Sequence, residues 1–151
     1  MSELDITSQL DDVPGFIADI LGSVKTIAMV GASADSRKPS YQVLRVLLDA
    51  GYDVIPVNPR PGLTEICGQK VYATLLSIDR PVDMVDVFRP SADLYGVAEE
   101  AIAIGAKVLW AQIGVTDERA AKHARAAGLK VVMDRCPKIE LRLLQEGSSP
   151  T

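Results

Sequence analysis

The sequence predicts an α/β fold of the Rossmann-like, doubly wound kind: a mostly parallel sheet, flanked by helices, in a single domain. Short apolar runs alternate along the chain with segments whose apolar residues recur at helical spacing. Glycines stand where four of these helical segments stop, at Gly22, Gly51, Gly105 and Gly128. The length of 151 residues suits one domain. The alternation implies right-handed crossovers and a sheet that is covered on both faces.

The N-terminal segment, residues 1–22, is expected to be a loosely ordered polar stretch followed by a short helix. Pro14 suits the first turn of that helix. The apolar face of the helix is predicted to consist of Phe16, Ile17, Ile20 and Leu21. The nucleotide-binding domain is then predicted to cover residues 23–146, and residues 147–151 are expected to be a frayed tail.

The domain begins with a buried strand over residues 26–30, which ends on Gly31. The next helix is predicted to begin at Pro39, with Ser40 as its N-cap, and to stop at Gly51. Its core-facing residues are predicted to be Val43, Leu44, Leu47 and Leu48.

The second strand, residues 53–57, contains Pro56, which predicts an edge position or a missing ladder bond at that point. Residues 58–62 are rich in proline and read as a loop, and residues 70–73 as a brief extended segment. In the second half of the chain, strands are predicted over 82–88, 107–112 and 130–134. The helices between and after them are predicted over 91–104, 116–127 and 137–144.

In open α/β sheets ligands bind outside the carboxyl ends of the strands, where the strand order reverses. The loop after the first strand is the most informative of these tips. Gly31 permits a tight turn, Ala32 and Ser33 are small enough for a phosphate to approach the backbone, and the following helix offers free N–H groups. Side chains that can hydrogen-bond or neutralise a phosphate there are Ser33, Arg37, Lys38 and Ser40. A plain strand-to-helix turn with two solvated basic residues is the alternative interpretation.

The glycine loop departs from the dinucleotide fingerprint, because no second or third glycine follows Gly31 at GxGxxG spacing. The second strand ends in Asn58 and Pro59, where an NAD site places an acidic residue for the ribose hydroxyls. Arg60 supplies positive charge instead, which suits a ribose with an extra phosphate, as in NADP or coenzyme A. The GxxxxGK[ST] pattern of nucleotide triphosphatases is absent.

Composition excludes several classes of function. The formal net charge is −4 and the charges are interspersed, so a nucleic-acid footprint is not expected. No apolar run is long enough to span a membrane, and no signal segment is evident. The two cysteines, Cys67 and Cys136, stand far apart and read as reduced thiols of a cytoplasmic protein. One histidine and two distant cysteines do not build a usual metal site.

Four further residues need separate interpretation. Cys136 follows the last strand and is either a reactive thiol or a small buried residue. Trp110 either contacts a bound coenzyme or fills the core. Arg89, at a strand end, suits a phosphate or carboxylate partner. His123 is expected on a helix surface, without a catalytic role.

Several separated motifs together resemble the small bacterial CoA-binding proteins. They occur in order over about residues 20–143, at 27–33, 37–41, 57–59, 86–89, 110–115 and 132–140. The same family is similar to the CoA-binding domains of the succinyl-CoA synthetase alpha subunit and of ADP-forming acyl-CoA synthetases. The resemblance implies coenzyme A as the ligand. By match of motif it implies contacts from Gly31, Ala32, Ser33, Arg60, Phe88, Arg89, Pro90, Trp110, Ala111 and Gln112.

The expected function is therefore the binding of coenzyme A or an acyl-CoA by a carrier, sensor or regulatory module without catalytic residues. Two alternatives remain open. One is an NADP-linked or acyl-CoA-handling enzyme that uses Cys136. The other is a remnant of an acyl-CoA synthetase that works only with a partner enzyme. A homo-oligomer is also compatible with the sequence.

Overall fold

The computed structural model describes residues 15–147, and within them it confirms the doubly wound α/β architecture. Predictions for residues 1–14, Pro14 included, and for residues 148–151 lie outside the described part. The strands, numbered in chain order, are β1 (Thr26–Val30), β2 (Asp53–Val57), β3 (Glu65–Ile66), β4 (Gln69–Lys70), β5 (Met84–Val87), β6 (Val108–Ala111) and β7 (Lys130–Val132). The helices are α1 (Phe16–Ser23), α2 (Pro39–Asp49), α3 (Leu94–Ala103), α4 (Glu118–Ala126) and α5 (Pro137–Gly147).

Five strands form one parallel sheet in the order β2-β1-β5-β6-β7. From β1 the chain first moves outward to β2 and then returns to the other side of β1 through β5. The strand order therefore reverses between β1 and β5, which is where a ligand is expected in such a sheet.

The two faces of the sheet carry separate core layers. One layer, here the α2 layer, packs α1, α2 and the start of α5 against residues such as Met29, Met84 and Trp110. The other, the α3 layer, packs α3 and α4 against residues such as Val85 and Val87. Right-handed crossovers produce this division, because the chain crosses to opposite faces as it moves toward opposite edges of the sheet.

Pro56 lies on an edge strand, as predicted, since β2 is the last strand on its side of the main sheet. Its carbonyl oxygen accepts a hydrogen bond from the N–H of Tyr72 at 3.1 Å, and Asn58 N–H donates to the Tyr72 carbonyl at 2.9 Å. The predicted extended segment 70–73 thus lies against the outer side of β2, where Tyr72 forms an isolated parallel bridge with Val57.

A β-hairpin between β2 and β5 escapes the sequence interpretation. Its strands β3 and β4 pair Glu65 with Lys70 and Ile66 with Gln69, and its loop is Cys67-Gly68. Both loop residues have positive φ, 52° and 77°, as a two-residue type I′ turn requires. The hairpin is difficult to predict from the sequence because cysteine is not among the residues that favour such a turn.

Element boundaries differ from prediction in instructive ways. The prediction that Ser40 caps α2 is wrong: Pro39 takes the first helical position, so Lys38 is the N-cap and Ser40 is buried inside the first turn. The helix predicted over 91–104 opens as a 3₁₀ turn, Ser91–Asp93. The helix predicted from 116 begins at Glu118, because the Asp117 carboxylate accepts hydrogen bonds from the N–H groups of Arg119 and Ala120.

Candidate functional site

Gly31 is the point at which the tips of β1 and β5 meet. Its φ is +86°, so the predicted tight turn is present. A Cβ at this position would collide with the carbonyl group of Phe88 and lie 3.2 Å from Cδ of Arg89. The Gly31 N–H donates to the Val57 carbonyl at 3.0 Å, which also ties the turn to the end of β2. Glycine is thus required here by the contact between strand tips.

The loop that follows is held by its own hydrogen bonds. Ala32 is fully buried, and the Ser33 hydroxyl accepts the N–H of Asp35 at 3.0 Å. The Asp35 carboxylate accepts the N–H of Arg37 at 3.0 Å and both Nε and Nη2 of its guanidinium at 3.1 Å. These bonds from Arg37 hold the pKa of Asp35 below its ordinary value of 3.8. Arg37, a predicted phosphate ligand, is therefore already paired with a carboxylate.

On one side of this loop lies a groove, here called the β2 groove, with a volume of about 330 Å³. It is bounded by the tips of β1 and β2, by residues 73–75 and by α3. Asn58 fixes its rim: Nδ2 donates to the Ala32 carbonyl at 2.8 Å, and Oδ1 accepts the N–H of Arg60 at 2.8 Å. Pro59 and Arg60 are exposed beyond it. The β2 tip thus presents an arginine and, as the sequence indicates, no acidic residue.

On the other side lies a cavity of about 570 Å³, here called the α5 cavity. The start of α2, the tips of β5 and β6 and the start of α5 enclose it. Its lining is largely apolar and consists of Pro39, Gln42, Val43, Phe88, Arg89, Pro90, Gln112, Ile113, Val115, Cys136, Lys138 and Ile139. A volume of this size is typical of small-molecule sites.

Arg89 is common to both hollows and lies between them. Its Nη2 is 2.9 Å from a carboxylate oxygen of Asp93, and both side chains are about half exposed. The pair is therefore solvated, and the guanidinium is available to a second anion. Residues 88–90, predicted as contacts, all line the α5 cavity.

Two predicted site residues on β6 lie in the core. Trp110 and Ala111 have no exposed surface, and Trp110 Nε1 donates to the Arg135 carbonyl at 2.8 Å. The core interpretation of Trp110 fits this position, and a ligand contact by its ring would need a rearrangement. Gln112, the next residue, does line the α5 cavity. Ser40 is also buried, which leaves its hydroxyl poorly placed for a phosphate.

Two aspartates that the sequence interpretation did not single out for the site shape this region. Asp134 has a φ of +60°, and its Oδ1 accepts the N–H of Gly114 at 2.7 Å, which joins the tips of β6 and β7. Asp86 lies fully buried on β5, in register with Met29 and Trp110, and neither carboxylate oxygen has a hydrogen-bond partner. Burial raises the pKa of Asp86 well above its ordinary value of 3.8, so the neutral acid is favoured.

His123, the remaining polar candidate, lines neither hollow. His123 lies partly exposed on α4, as predicted, with its ring stacked on Tyr95 at 5.0 Å between centroids. Within residues 15–147 no group of three or more histidine, cysteine, aspartate or glutamate side chains is arranged to hold a metal ion. No helix in that range is long and apolar enough to cross a membrane.

Comparisons with known proteins agree on the family. The CoA binding domain family matches residues 25–142. The uncharacterized protein YneT of Bacillus subtilis is 43% identical over 123 residues, which are 82% of this chain and 90% of YneT. A solved structure, a hypothetical protein from Pyrococcus horikoshii, superposes with a TM-score of 0.85 at 38% identity, over 89% of this chain and 94% of the other.

A larger enzyme subunit also matches in part. The alpha subunit of the ADP-forming acetate–CoA ligase I of Pyrococcus furiosus is 36% identical over 95 residues. These are 60% of this chain but only 21% of the ligase subunit. The matched region is thus a small fraction of that enzyme.

Proposed function

Because this chain belongs to the CoA binding domain family, we propose that it binds coenzyme A or an acyl-CoA across the β1–β5 edge of its sheet, as a non-catalytic carrier, sensor or regulatory module. One observation carries the proposal: two hollows of different character meet at Arg89, beside the glycine turn where the strand order reverses. Coenzyme A has a matching division between a polar nucleotide and a long, mostly apolar pantetheine arm.

The polar end of the ligand fits the β2 groove best. The groove lies against Gly31 and Asn58, and the β2 tip ends in the exposed Arg60. An NAD site would place an acidic side chain there to accept from the ribose hydroxyls. An arginine instead favours a phosphorylated ribose, and coenzyme A carries its third phosphate on the ribose.

The other end of the ligand fits the α5 cavity. Its apolar walls suit the methylene and dimethyl groups of the pantetheine arm, and Arg89 between the hollows suits the pyrophosphate. The loop residues Ser33 and Lys38 and the start of α2 stay in the proposed site as secondary phosphate contacts. The site residues predicted from the sequence remain predictions until a ligand is observed.

Calorimetry with coenzyme A, acetyl-CoA, dephospho-CoA, NAD and NADP tests the proposal. We expect coenzyme A and acetyl-CoA to bind and both nicotinamide nucleotides to bind at least about tenfold more weakly, which corresponds to 1.4 kcal/mol. Tight binding of NADP together with no binding of coenzyme A would refute the proposal and favour the NADP-linked alternative.

The ribose phosphate gives a sharper test at Arg60. We expect the wild-type protein to prefer coenzyme A over dephospho-CoA by about tenfold, and an Arg60→Ala variant to lose that preference. The variant keeps its backbone bond to Asn58, so the loop is expected to persist. Equal discrimination by the two proteins would place the ribose phosphate elsewhere.

We further place the protein in the cytoplasm, where its two unpaired thiols would stay reduced. The partial match to the ligase subunit keeps a role beside a partner enzyme as a second candidate. Co-purification from the source cell with a nucleotide-grasping subunit would favour that role, and a chain that elutes alone with coenzyme A bound would favour the solitary module.

A further inference from the structure

Cys136 lies at the start of α5 with its side chain in the wall of the α5 cavity. Its carbonyl accepts the Glu140 N–H at 3.0 Å, the first hydrogen bond of the helix, so Cys136 occupies the N-cap position. The residue is 7% exposed and its thiol is free. Cys136 thus lines a ligand-sized space at the N-terminus of an eleven-residue helix.

A second, independent observation is an unpaired polar group on a residue that lines this cavity. Gln112 lines it, is 7% exposed, and has an amide oxygen that is buried and accepts no hydrogen bond. A buried acceptor left unpaired costs about 1–3 kcal/mol, so an amide rotation that brings this oxygen to an N–H donor of a ligand in the cavity is favoured. The pantetheine arm of coenzyme A carries two amide N–H groups before its terminal thiol.

On the basis of the proposed function, we propose that the thiol end of coenzyme A enters the α5 cavity beside Cys136. There Cys136 undergoes thiol–disulfide exchange with disulfides of coenzyme A. The protein then holds the coenzyme as a mixed disulfide, and the cavity is a covalent site for oxidised coenzyme A as well as a binding site for the reduced form. Arg89 and the glycine turn bind the nucleotide and thereby position the disulfide beside Cys136.

The exchange balances without any further oxidant. The Cys136 sulfur, as thiolate, attacks one sulfur of the coenzyme A disulfide, a new S–S bond forms, and the original S–S bond breaks. The second coenzyme A leaves as a thiolate and takes up the proton that Cys136 gave to solvent. Cys136 is oxidised and the released coenzyme A is reduced. Negative charge spreads over the sulfurs during this exchange, and the N-terminus of α5 is where the helix dipole favours it.

The experiment uses the full chain, coenzyme A disulfide and intact mass analysis under non-reducing conditions. We expect the wild-type protein to gain the mass of one coenzyme A moiety, and a reductant to reverse the gain. Cys67→Ser is the matched control, since Cys67 lies in the β3–β4 turn away from the cavity, and it should react like the wild type. Cys136→Ser and Cys136→Ala should gain no mass, and urea unfolding should show that both variants are folded.

Two comparison disulfides test whether binding of the nucleotide accelerates the modification of Cys136. Pantethine and oxidised glutathione lack the nucleotide, so both should modify Cys136 at least about tenfold more slowly at equal low concentration. A Gln112→Leu variant, which removes the unpaired acceptor, should slow the reaction of coenzyme A disulfide.

The outcomes separate this proposal from the proposed function. If calorimetry shows that coenzyme A binds and Cys136 is not modified, or is modified equally fast by all three disulfides, the covalent site is refuted and the binding function stands. If coenzyme A does not bind at all, both fail together. Modification of Cys67 in preference to Cys136 would also overturn the assignment.

Discussion

The β2 groove and the α5 cavity share Arg89 but are built from different parts of the chain. The groove is shaped by backbone: the Gly31 turn and the two hydrogen bonds of Asn58 to the main chain fix its rim. The cavity is shaped by side chains that converge from two helices and two strand tips. Backbone geometry tolerates few substitutions, whereas side-chain walls can be remodelled one residue at a time. We therefore expect the groove to determine which coenzyme binds and the cavity to determine which acyl group on that coenzyme is accepted.

The largest effect is expected from substitution of Gly31, because this residue affects both hollows. It lines the groove, and it contacts the β5 tip that lines the cavity. Gly31→Ala forces a Cβ into the Phe88 carbonyl at a φ of +86°. We expect a loss of about 2–4 kcal/mol in the free energy of unfolding, and the loss of coenzyme A binding. Urea unfolding and calorimetry measure the two.

Gly51→Ala is the matched control for that substitution. Gly51 has a φ of +99° with no atom within 4 Å of the added Cβ, and it lies at the end of α2, so only backbone strain remains. We expect a loss of about 1 kcal/mol and unchanged affinity. Equal effects of the two substitutions would mean that the contact with Phe88 is not what requires glycine at position 31.

The second prediction concerns a buried carboxyl in the α2 layer. Asp86 shares its sheet face with Met84 and its register neighbours Met29 and Trp110, so the α2 layer holds an uncompensated carboxyl. Burial raises its pKa, so the folded state keeps a proton that the unfolded chain has lost once the pH exceeds 3.8. The free energy of unfolding should therefore fall as the pH rises from 3.8 toward the raised pKa.

Asp86→Asn removes that titration and should flatten the fall, which urea unfolding at several pH values above 3.8 would measure. Asp53→Asn is the control. The Arg80 guanidinium holds the pKa of Asp53 below 3.8, so its contribution is complete above that pH and is lost only as the pH falls through the lowered pKa. A slope that survives in Asp86→Asn would assign the pH dependence to another group.

The third prediction concerns the residue that the hollows share. Arg89→Gln should weaken coenzyme A binding at least about tenfold, because a charge-assisted hydrogen bond contributes roughly 1.5–3 kcal/mol. Arg80 is a closely matched control: it forms an ion pair at 2.9 Å like that of Arg89, with its side chain 41% exposed against 50%, but with Asp53. Arg80→Gln should leave affinity unchanged in the same calorimetric assay, and an equal loss would point to net charge alone.

Much of the fold was predictable from local rules. Pro56 predicted the edge strand because it cannot donate to a ladder, and the alternation of strands and helices predicted the layers. Ser40 shows the limit of such rules: Pro39 occupies the first helical position, so the cap is Lys38, two residues earlier than the serine signal suggests.

The site was less predictable, because position at a strand tip does not determine where a side chain points. All four residues of β6 are buried, so no alternation marks which face Trp110 takes. The importance of Gly31 was visible, but its cause was not, since Phe88 is far away in sequence. Asp86 is flanked by apolar residues in the sequence, and this pattern indicates a buried carboxyl. The prediction of the strand did not consider it.

The smallest predicted effect concerns Asp35, which competes with a ligand phosphate for Arg37. Its carboxylate holds the guanidinium at 3.1 Å and also accepts the Arg37 N–H at 3.0 Å. In Asp35→Asn the amide oxygen can keep the backbone bond, so the turn persists while the guanidinium is released and one negative charge is removed. We expect coenzyme A to bind about two- to fivefold more tightly, and less so at high salt, because exposed charges are screened. Asp53→Asn removes the same charge far from the strand tips and should not tighten binding. Weaker binding by Asp35→Asn would mean that the carboxylate holds the loop in its binding conformation. Coenzyme A binding at the glycine turn would then require Asp35.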